Sequence, residues 1–272
     1  MDPEGRVAVV TGAAGGIGGA LVRGLLERGA RNVVAADLDE VVSEELGAAV
    51  RPRTLDVTDE QATQALVSEI EQNVGPIDAW FANAGISTGG GPDAPDEQWE
   101  RQWQVNVMSH VYAARAMLPR WIERQGGHLI TTASMAGILS AAGDALYSAT
   151  KHAALGFAEW LAFTYRDQGI RVSCVCPGAV DTAMLRAGAG GDAARASAII
   201  GGGEVIAPSE AATRILDAVA RDQFLILTHP EMQDYMVVKA QDPERLVRGM
   251  SKLWSRARTL LTPPAPGATP QA

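Results

Sequence analysis

The stretch TGAAGGIGG, residues 11–19, lies between an apolar run and a segment with helical periodicity. The preceding run, RVAVV, is typical of a buried strand, and LVRGLLERG places leucines on one side of a helix. Glycines at a strand-to-helix turn let the backbone approach a pyrophosphate, and the helix N-terminus offers free N–H groups to it. The stretch therefore predicts a dinucleotide-binding turn in an α/β fold.

The spacing of the glycines distinguishes this turn from the G-x-G-x-x-G pattern. Counted from Gly16, that pattern needs its third glycine at residue 21, which is a leucine. The observed order is G-x-x-x-G-x-G, and the neighbouring strand and helix make it informative. We predict that a bound dinucleotide contacts Gly12, Ala14, Gly16, Ile17 and Gly18.

Strand-length apolar runs alternate with helical segments along most of the chain. Such alternation predicts βαβ units, and almost wholly apolar strands predict a sheet covered on both faces. The expected fold is α/β, a single-domain doubly wound Rossmann fold with a seven-stranded parallel sheet and helices on both faces. The candidate strands are RVAVVTG, NVVAAD, RPRTLDV, IDAWFANAG, HLITTAS, RVSCVCPG and QFLILT.

Two segments interrupt this rhythm. A Gly/Ala-rich stretch follows the sixth strand, where a doubly wound fold opens its crevice, and we expect a mobile lid over about residues 184–207. A plain surface excursion is the alternative. The tail at 262–272 is rich in Pro and Ala and is predicted to be disordered. One catalytic domain at 1–261 remains, which suits a chain of 272 residues.

Charge and hydropathy narrow the class of protein. The net charge is -9, and the sequence contains no run of Lys and Arg, so nucleic-acid binding is not expected. No apolar run approaches the roughly 18 residues of a membrane span, and the N-terminus lacks a signal-peptide pattern, so a cytoplasmic location is expected. The histidines have no zinc-ligand spacing, and we predict no metal.

Cys174 and Cys176 are two residues apart in the candidate strand RVSCVC. We expect them to point to opposite faces of the sheet and therefore not to pair with each other or share a metal. Buried thiols in a reduced cytoplasm are the expected state.

Asp37 ends the second candidate strand, nineteen residues after Gly18. A carboxylate at this place can accept both ribose hydroxyls of an adenosine, and it would repel a 2′-phosphate. No Lys or Arg occurs in 12–18 or 35–41 to bind that phosphate, so NAD is favoured over NADP. The alternative role for Asp37 is a helix N-cap, which also favours an acid.

A tyrosine and a lysine four residues apart occur twice, in YSATK at 147–151 and in YMVVK at 235–239. Residues at i and i+4 share a helix face, and a neighbouring ammonium lowers the pKa of a phenol. Only Tyr147 follows a strand-end hydroxyl, since Ser134 precedes it by thirteen residues. We therefore assign the catalytic role to Tyr147 and interpret Tyr235 and Lys239 as structural.

These motifs together resemble the short-chain dehydrogenase/reductase family, in its single-domain NAD(P)-dependent oxidoreductase branch. The resemblance covers about residues 5–230. It is carried by TGAAGGIG, FANAG, the isolated Asn106 in WQVNVMS, Ser134, YSATK and PGAVDT.

The resemblance implies a role for each matching position. An Asn-Ser-Tyr-Lys tetrad would consist of Asn106, Ser134, Tyr147 and Lys151. Asp56 would hold the adenine ring, and Thr182 would lie near the nicotinamide carboxamide. The further cofactor contacts expected are Leu38, Val57, Asn83, Ala84, Gly85, Tyr147, Lys151, Pro177, Gly178 and Val180.

The expected reaction interconverts a secondary alcohol and a ketone by hydride transfer, with Tyr147 as general acid and base. The segment MAGILSAAGDAL between Ser134 and Tyr147 is apolar and lacks Arg and Lys, which favours an apolar or neutral substrate. Packing of these residues against the rest of the protein is the alternative. Arg186 would change this expectation if it folded inward. The alternative function is a non-catalytic dinucleotide-binding sensor or scaffold on the same fold.

Two long predicted helices, one containing Trp99–Gln125 and one containing Tyr147–Gln168, carry more apolar residues than one sheet face needs. The family resemblance implies that such helices pair across the axis of a dimer or homotetramer. Burial in the protein's own core is the alternative for residues such as Trp103, Trp160 and Phe163.

Overall fold

The computed structural model describes residues 1–39, 47–187 and 203–261. It contains a seven-stranded parallel sheet in the order β3-β2-β1-β4-β5-β6-β7, which confirms the predicted fold class. The strands are β1 (Val7–Thr11), β2 (Asn32–Asp37), β3 (Val50–Thr54), β4 (Ala79–Ala82), β5 (Gly127–Thr132), β6 (Ile170–Cys176) and β7 (Leu225–Leu227).

The helices alternate with these strands. They are α1 (Gly16–Glu27), α2 (Glu60–Asn73), α3 (Asp96–Trp103), α4 (Ser109–Arg124), α5 (Ala136–Leu139), α6 (Ala145–Thr164), α7 (Ala183–Ala187), α8 (Pro208–Ala220), α9 (Met232–Gln241) and α10 (Pro243–Leu261).

Both faces of the sheet are covered by apolar side chains. Alternate strand residues Val9, Trp80 and Leu129 belong to one core cluster, while Val10, Phe81 and Ile130 belong to the other. This division follows from strand geometry, since successive side chains point to opposite faces. It explains why the strands read as continuous apolar runs.

The chain order reverses between β1 and β4, which are neighbours although α1, β2, β3 and α2 lie between them in the sequence. In an open parallel sheet, the crevice at such a reversal opens outside the carboxyl ends of the strands. The glycine turn after β1 and the segment Asn83–Gly85 after β4 both start at this crevice. The predicted cofactor residues of these two segments are thereby brought together.

The expectation that Cys174 and Cys176 face opposite sides of the sheet is wrong. Side chains alternate along a strand, so residues two apart share a face. Both thiols are buried in the same core cluster, and both are free.

The helix predicted to contain Trp99–Gln125 is not uniform. α3 passes into a π-helical segment, Gln104–Met108, before α4 begins at Ser109. The helix predicted to contain Tyr147–Gln168 ends at Thr164, and a short 3₁₀ turn, Arg166–Gln168, follows it. Most of the predicted lid, at 188–202, and the predicted tail, at 262–272, lie outside the described residues.

Within the described ranges, no helix is long and apolar enough to cross a membrane. The same ranges contain no cluster of His, Cys, Asp and Glu side chains suited to holding a metal ion.

Candidate active site

The glycine turn is built around close backbone contacts. Gly12 has φ +68°, and a Cβ there would approach within 2.9 Å of the Ala84 Cα. A Cβ on Gly18 would overlap the carbonyl oxygen of Gly12. Both positions therefore require glycine. Gly12 needs it for its positive φ and for the close approach of Ala84, and Gly18 needs it only for the close approach of the Gly12 carbonyl.

The N-terminus of α1 is open to an anion. Gly15, its N-cap, has no side chain to bond the first N–H groups, and the first turn contains no acidic residue. A pyrophosphate would therefore meet unpartnered donors and the positive end of the helix dipole. The residues present fit the phosphates of a dinucleotide.

Asn83 and Thr11 fasten the turn to the neighbouring strand. The Asn83 Nδ2 donates to the Thr11 carbonyl at 3.0 Å, and the Thr11 Oγ1 accepts from the backbone N–H groups of Asn83 and Ala84 at 3.0 and 3.1 Å. The segment after β4 thus holds the glycine turn in place through these three hydrogen bonds. Sequence reasoning did not identify Thr11, because a single strand-end threonine carries no distinctive signal.

Asp37 lies at the carboxyl end of β2, beside the glycine turn. Its Oδ2 accepts the backbone N–H of Ala14 at 2.8 Å, and its Oδ1 accepts that of Leu38 at 2.7 Å. The carboxylate therefore orders the turn in addition to any contact with a ribose. A helix N-cap role for Asp37 concerns residues 40–46, which lie outside the described ranges.

Asp56 is exposed near the end of β3 and closes a local turn. Its Oδ1 accepts the Thr58 N–H at 2.9 Å and the Thr58 hydroxyl at 2.7 Å. Leu38 is 63% exposed and Val57 is half-buried, so both apolar surfaces are accessible to a planar ring.

The segment after β6 lies next to the glycine turn. The Pro177 carbonyl accepts the Met135 N–H at 2.9 Å, and the Gly178 N–H donates to the Thr228 hydroxyl at 3.2 Å. Val180 is buried with Ile17, whereas the Thr182 methyl carbon lies 2.9 Å from the place of a Cβ on Gly16. Val180 and Thr182 therefore both contact the start of α1.

The predicted tetrad converges at the ends of β4 and β5. Ser134 follows β5, and its hydroxyl hydrogen-bonds Tyr147 on α6. The Lys151 Nζ lies 5.6 Å from the centre of the Tyr147 ring and donates to the Thr132 carbonyl at 2.8 Å. A Cβ on Gly85 would lie 3.2 Å from both the Lys151 Nζ and the Asn106 Oδ1, so these two groups flank one glycine.

Burial governs the titration of both catalytic candidates. It raises the pKa of Tyr147, while the hydrogen bond from Ser134 acts in the opposite direction and the charge of Asp144 adds to the increase. Burial also lowers the pKa of Lys151 to about 8. The lowering of the Tyr147 pKa that is expected from Lys151 is therefore not found: the pKa of the phenol is raised, because burial disfavours its charged form.

Asn106 lies in the π-helical segment and is fully buried. Its Oδ1 accepts the Ile86 N–H at 2.9 Å, and its Nδ2 donates to the Ile86 carbonyl at 2.9 Å and to the Thr150 hydroxyl at 3.1 Å. A π-turn inside a helix is frequent at functional sites, and here it accompanies the inward-facing amide. Asn106 thus joins the loop after β4 to the helix that carries Tyr147 and Lys151.

Two residues that hold the candidate catalytic residues in place were not identified from the sequence. Thr150 lies within YSATK, yet its role as the acceptor for Asn106 depends on the π-helical segment. Gly137 in α5 touches α6 so closely that a Cβ would overlap the Lys151 carbonyl. No sequence pattern distinguishes this glycine from others.

The second tyrosine-lysine pair lies elsewhere. The Lys239 Nζ donates to the Ile138 carbonyl and lies 3.2 Å from the His152 Nε2, so it ties α9 to α5 and α6. Tyr235 is 47% exposed.

The last helix reaches the loop before Tyr147. Gly143 has φ +79°, and a Cβ there would lie 2.6 Å from the Trp254 ring. The indole therefore packs against the turn that leads into α6.

Arg186 is paired with a neighbouring carboxylate. Its guanidinium forms two 2.6 Å hydrogen bonds to Asp181, which argues against binding of an anionic substrate group by this residue.

Residues 6–190 match the sequence profile of a family described as short chain dehydrogenase. The chain is 37% identical over 249 residues to 1-deoxy-11-beta-hydroxypentalenate dehydrogenase of Streptomyces exfoliatus, with 85% of this chain and 86% of the relative aligned.

Solved structures share the whole fold. A short chain dehydrogenase/reductase from Burkholderia phymatum in complex with NAD aligns with a TM-score of 0.80 and 27% identity, over 90% of this chain and 96% of the other. A short chain dehydrogenase from Burkholderia cenocepacia in complex with NADP aligns with a TM-score of 0.77 and 27% identity, over 97% and 100%.

Proposed function

The chain belongs to the short-chain dehydrogenase/reductase family of oxidoreductases, and from this premise we propose that it interconverts a secondary alcohol and a ketone with NAD. The observation that carries the proposal is the convergence of Ser134, Tyr147, Lys151 and Asn106 at the ends of two adjacent strands. A protein that only bound a dinucleotide would have no need of this set of polar groups.

NAD, when bound, supplies the hydride acceptor for alcohol oxidation. The glycine turn would hold its pyrophosphate, and Asp37 its adenosine ribose. The two structural neighbours bind NAD in one case and NADP in the other, so the preference rests on residues of this chain. Besides Asp37, the sequence has Asp39, Glu40, Glu44 and Glu45 nearby and no cation in 35–46, a composition that disfavours a 2′-phosphate.

The alcohol hydroxyl would lie between Ser134 and Tyr147. Tyr147 takes the hydroxyl proton during oxidation and returns it during ketone reduction. Ser134 donates a hydrogen bond to the substrate oxygen as charge develops on it. Lys151 retains two N–H donors beyond its bond to Thr132, and we assign them to the cofactor ribose and to a water that exchanges protons with solvent beside Asn106.

An apolar carbon skeleton is the substrate class that we propose. The segment between Ser134 and Tyr147 consists mainly of small and apolar residues, and the indole of Trp254 packs beside it. Ile138 and Leu139 of this segment are buried in the protein's own core, so the proposal rests on the remaining small residues and on Trp254.

Arg186 on α7, which would favour an anionic substrate if it folded inward, is paired with Asp181. The Streptomyces relative is named for a hydroxypentalenate, a hydroxylated carboxylate, so its name supports oxidation of a hydroxyl group but not an uncharged substrate.

We also propose association of identical chains. On α6, Trp160 is 47% exposed and Phe163 is 71% exposed, and Trp103 on α3 is 44% exposed. Burying these rings between copies in a dimer or tetramer would remove their apolar surface from water.

Three further expectations remain predictions from the sequence. They are a single catalytic domain at 1–261, a lid at 184–207 and a cytoplasmic location.

A panel of secondary alcohols and ketones, including cyclic and polycyclic skeletons, tests the proposed function through NADH absorbance. We expect turnover of at least one apolar alcohol with NAD. Binding of NADH without turnover of any member, in protein shown to be folded, would favour the sensor or scaffold alternative.

A further inference from the structure

We propose that Asp144 is a positioning residue for Tyr147. Its carboxylate bonds the start of α6 to the loop at residues 86–90, which fixes the position of the phenol, and it also places a negative charge near that phenol. This inference rests on the proposed function of Tyr147. Asp144 is the N-cap of α6 and precedes the catalytic tyrosine by three residues.

The two carboxylate oxygens of Asp144 have different partners. Oδ1 accepts the backbone N–H of Tyr147 at 2.9 Å, and Oδ2 accepts the hydroxyl of Ser87 at 2.7 Å. An isolated backbone bridge joins Asp144 to Gly90, and the Ala145 N–H donates to the Gly90 carbonyl at 2.9 Å. The carboxylate therefore bonds the start of the catalytic helix to the loop that follows β4.

The same loop is held at its other end by Asn106. Both polar atoms of the Asn106 amide bond the backbone of Ile86, and the amide also reaches Thr150 on α6. Hydrogen bonds thus attach the loop to α6 at two places, through Asn106 and Thr150 at one end and through Asp144 at the other. Removing Asp144 breaks the attachment that lies next to Tyr147.

An ordinary helix cap needs only one carboxylate oxygen. Asp59 provides the comparison within the chain, since it caps α2 and its Oδ1 accepts the Ala62 N–H at 2.9 Å. Asp144 has the same cap geometry and in addition the bond to Ser87, next to the reacting phenol. This second bond and this location distinguish the two caps.

The charged and titratable groups around Tyr147 come from several elements. Lys151 faces its ring from one turn further along α6, Cys176 lies on β6, and Asp144 precedes the ring on its own helix. His152 on α6 and Lys239 on α9 lie beyond, around the Ser148 carbonyl and the end of α5. Among them, Asp144 is the carboxylate that opposes formation of a phenolate, so its charge raises the pKa of Tyr147.

The test replaces Asp144 with Asn and with Ala in the full chain. Asn can still accept the Tyr147 N–H and can donate to Ser87, so Asp144→Asn removes charge while keeping the cap. We expect Tyr147 to ionise at lower pH in this variant, and the pH profile of alcohol oxidation to move in the same direction. Asp144→Ala also loses the loop contact, and we expect kcat at the pH optimum to fall by about one to two orders of magnitude.

Two measurements keep this test separate from that of the proposed function. Ionisation of the Tyr147 phenol is followed by NMR of ¹³C-labelled tyrosine in NAD-saturated protein, with Tyr147→Phe for assignment, so no substrate is needed. Asp59→Asn is the matched control, because it removes the charge of an equivalent cap on a distant helix. Thermal melts show that each variant is folded.

A shift to lower pH in Asp144→Asn but not in Asp59→Asn supports the proposal even if no substrate is found. An unchanged ionisation of Tyr147 in Asp144→Asn overturns it. Equal shifts in both variants also overturn it, because a general change in protein charge then accounts for the effect.

Discussion

The Lys151 ammonium lies 5.6 Å from the centre of the Tyr147 ring, while its hydrogen bond goes to the carbonyl of Thr132. Lysine and phenol are thus neighbours on one helix face without being a directly bonded ion pair. Burial raises the pKa of Tyr147 and lowers that of Lys151 to about 8, so it disfavours the charged form of each group, and Lys151 loses its proton above about pH 8. The four-residue spacing supplies proximity, and burial decides the charge state.

The first prediction concerns pH and stability. The pKa of Lys151 is about 8 in the folded protein against 10.5 in an unfolded chain, so between these values the unfolded state binds more protons and stability rises with pH. Below pH 8 the full cost of burying the charge persists, about 3 kcal/mol for this difference in pKa. Lys151→Met should therefore gain stability relative to the native protein at pH 7, and this advantage should shrink towards pH 10.5.

Urea denaturation at several pH values, without cofactor, measures that difference. Lys252→Met is the control, because Lys252 is exposed on α10. A difference between Lys151→Met and the native protein that is flat from pH 7 to 10.5 would show that the lysine is not destabilised by burial.

The second prediction separates the two roles of Asp37. Asn at this position keeps an acceptor for the Ala14 N–H but removes the charge that repels a 2′-phosphate. Asp37→Asn should therefore bind NADP more tightly than the native protein does, by about tenfold for the loss of one close repulsive charge. Fluorescence titrations with NADH and NADPH measure both affinities.

Asp39→Asn controls for net charge in the same region, since Asp39 is exposed and two residues away. If the native protein already bound NADPH as tightly as NADH, the role assigned to the Asp37 charge would be wrong.

The third prediction compares two helical glycines. A Cβ on Gly18 in α1 would overlap the Gly12 carbonyl, whereas a Cβ on Gly249 in α10 would meet nothing within 4 Å. Gly18→Ala should lower NADH affinity at least tenfold, because the phosphate turn must shift. Gly249→Ala should leave affinity unchanged and stabilise the protein by about 0.5–1 kcal/mol. Equal NADH affinity in the two variants would argue against the described turn.

The fourth prediction concerns the wall formed by α10. Trp254 packs on Gly143, four residues before Tyr147. Trp254→Ala should raise the KM of an apolar alcohol about tenfold, which corresponds to 1.4 kcal/mol of lost apolar contact, and leave the KM of NAD unchanged. Arg256→Ala, an exposed change on the same helix, is the control. An unaltered alcohol KM would exclude Trp254 from the substrate wall.

Sequence patterns were sufficient to predict the sheet. Apolar runs at β1, β4 and β5 are long enough to specify buried parallel strands, and parallel strands bring their carboxyl ends to one edge. Gly12 and Asn83 therefore lie in contact, although they are 71 positions apart in the chain.

What the sequence did not reveal depends on contacts between distant segments. The π-helical turn at Asn106 has no composition that separates it from an α-helix. The bond between Ser87 and Asp144 joins residues 57 positions apart, and the Trp254 ring meets a glycine in another element. The titration of Tyr147 depends on burial, which a spacing of four residues does not encode.

The most direct test of the account is the kcat of Tyr147→Phe beside its NADH affinity. Loss of the phenolic proton donor should lower kcat for the identified alcohol by about 10²–10⁴-fold, the usual contribution of general acid-base catalysis. NADH affinity should stay within about twofold of the native value, and Tyr235→Phe should retain full activity. An unchanged kcat in folded Tyr147→Phe, or loss of activity in Tyr235→Phe instead, would contradict the assignment of Tyr147 as the catalytic acid and base.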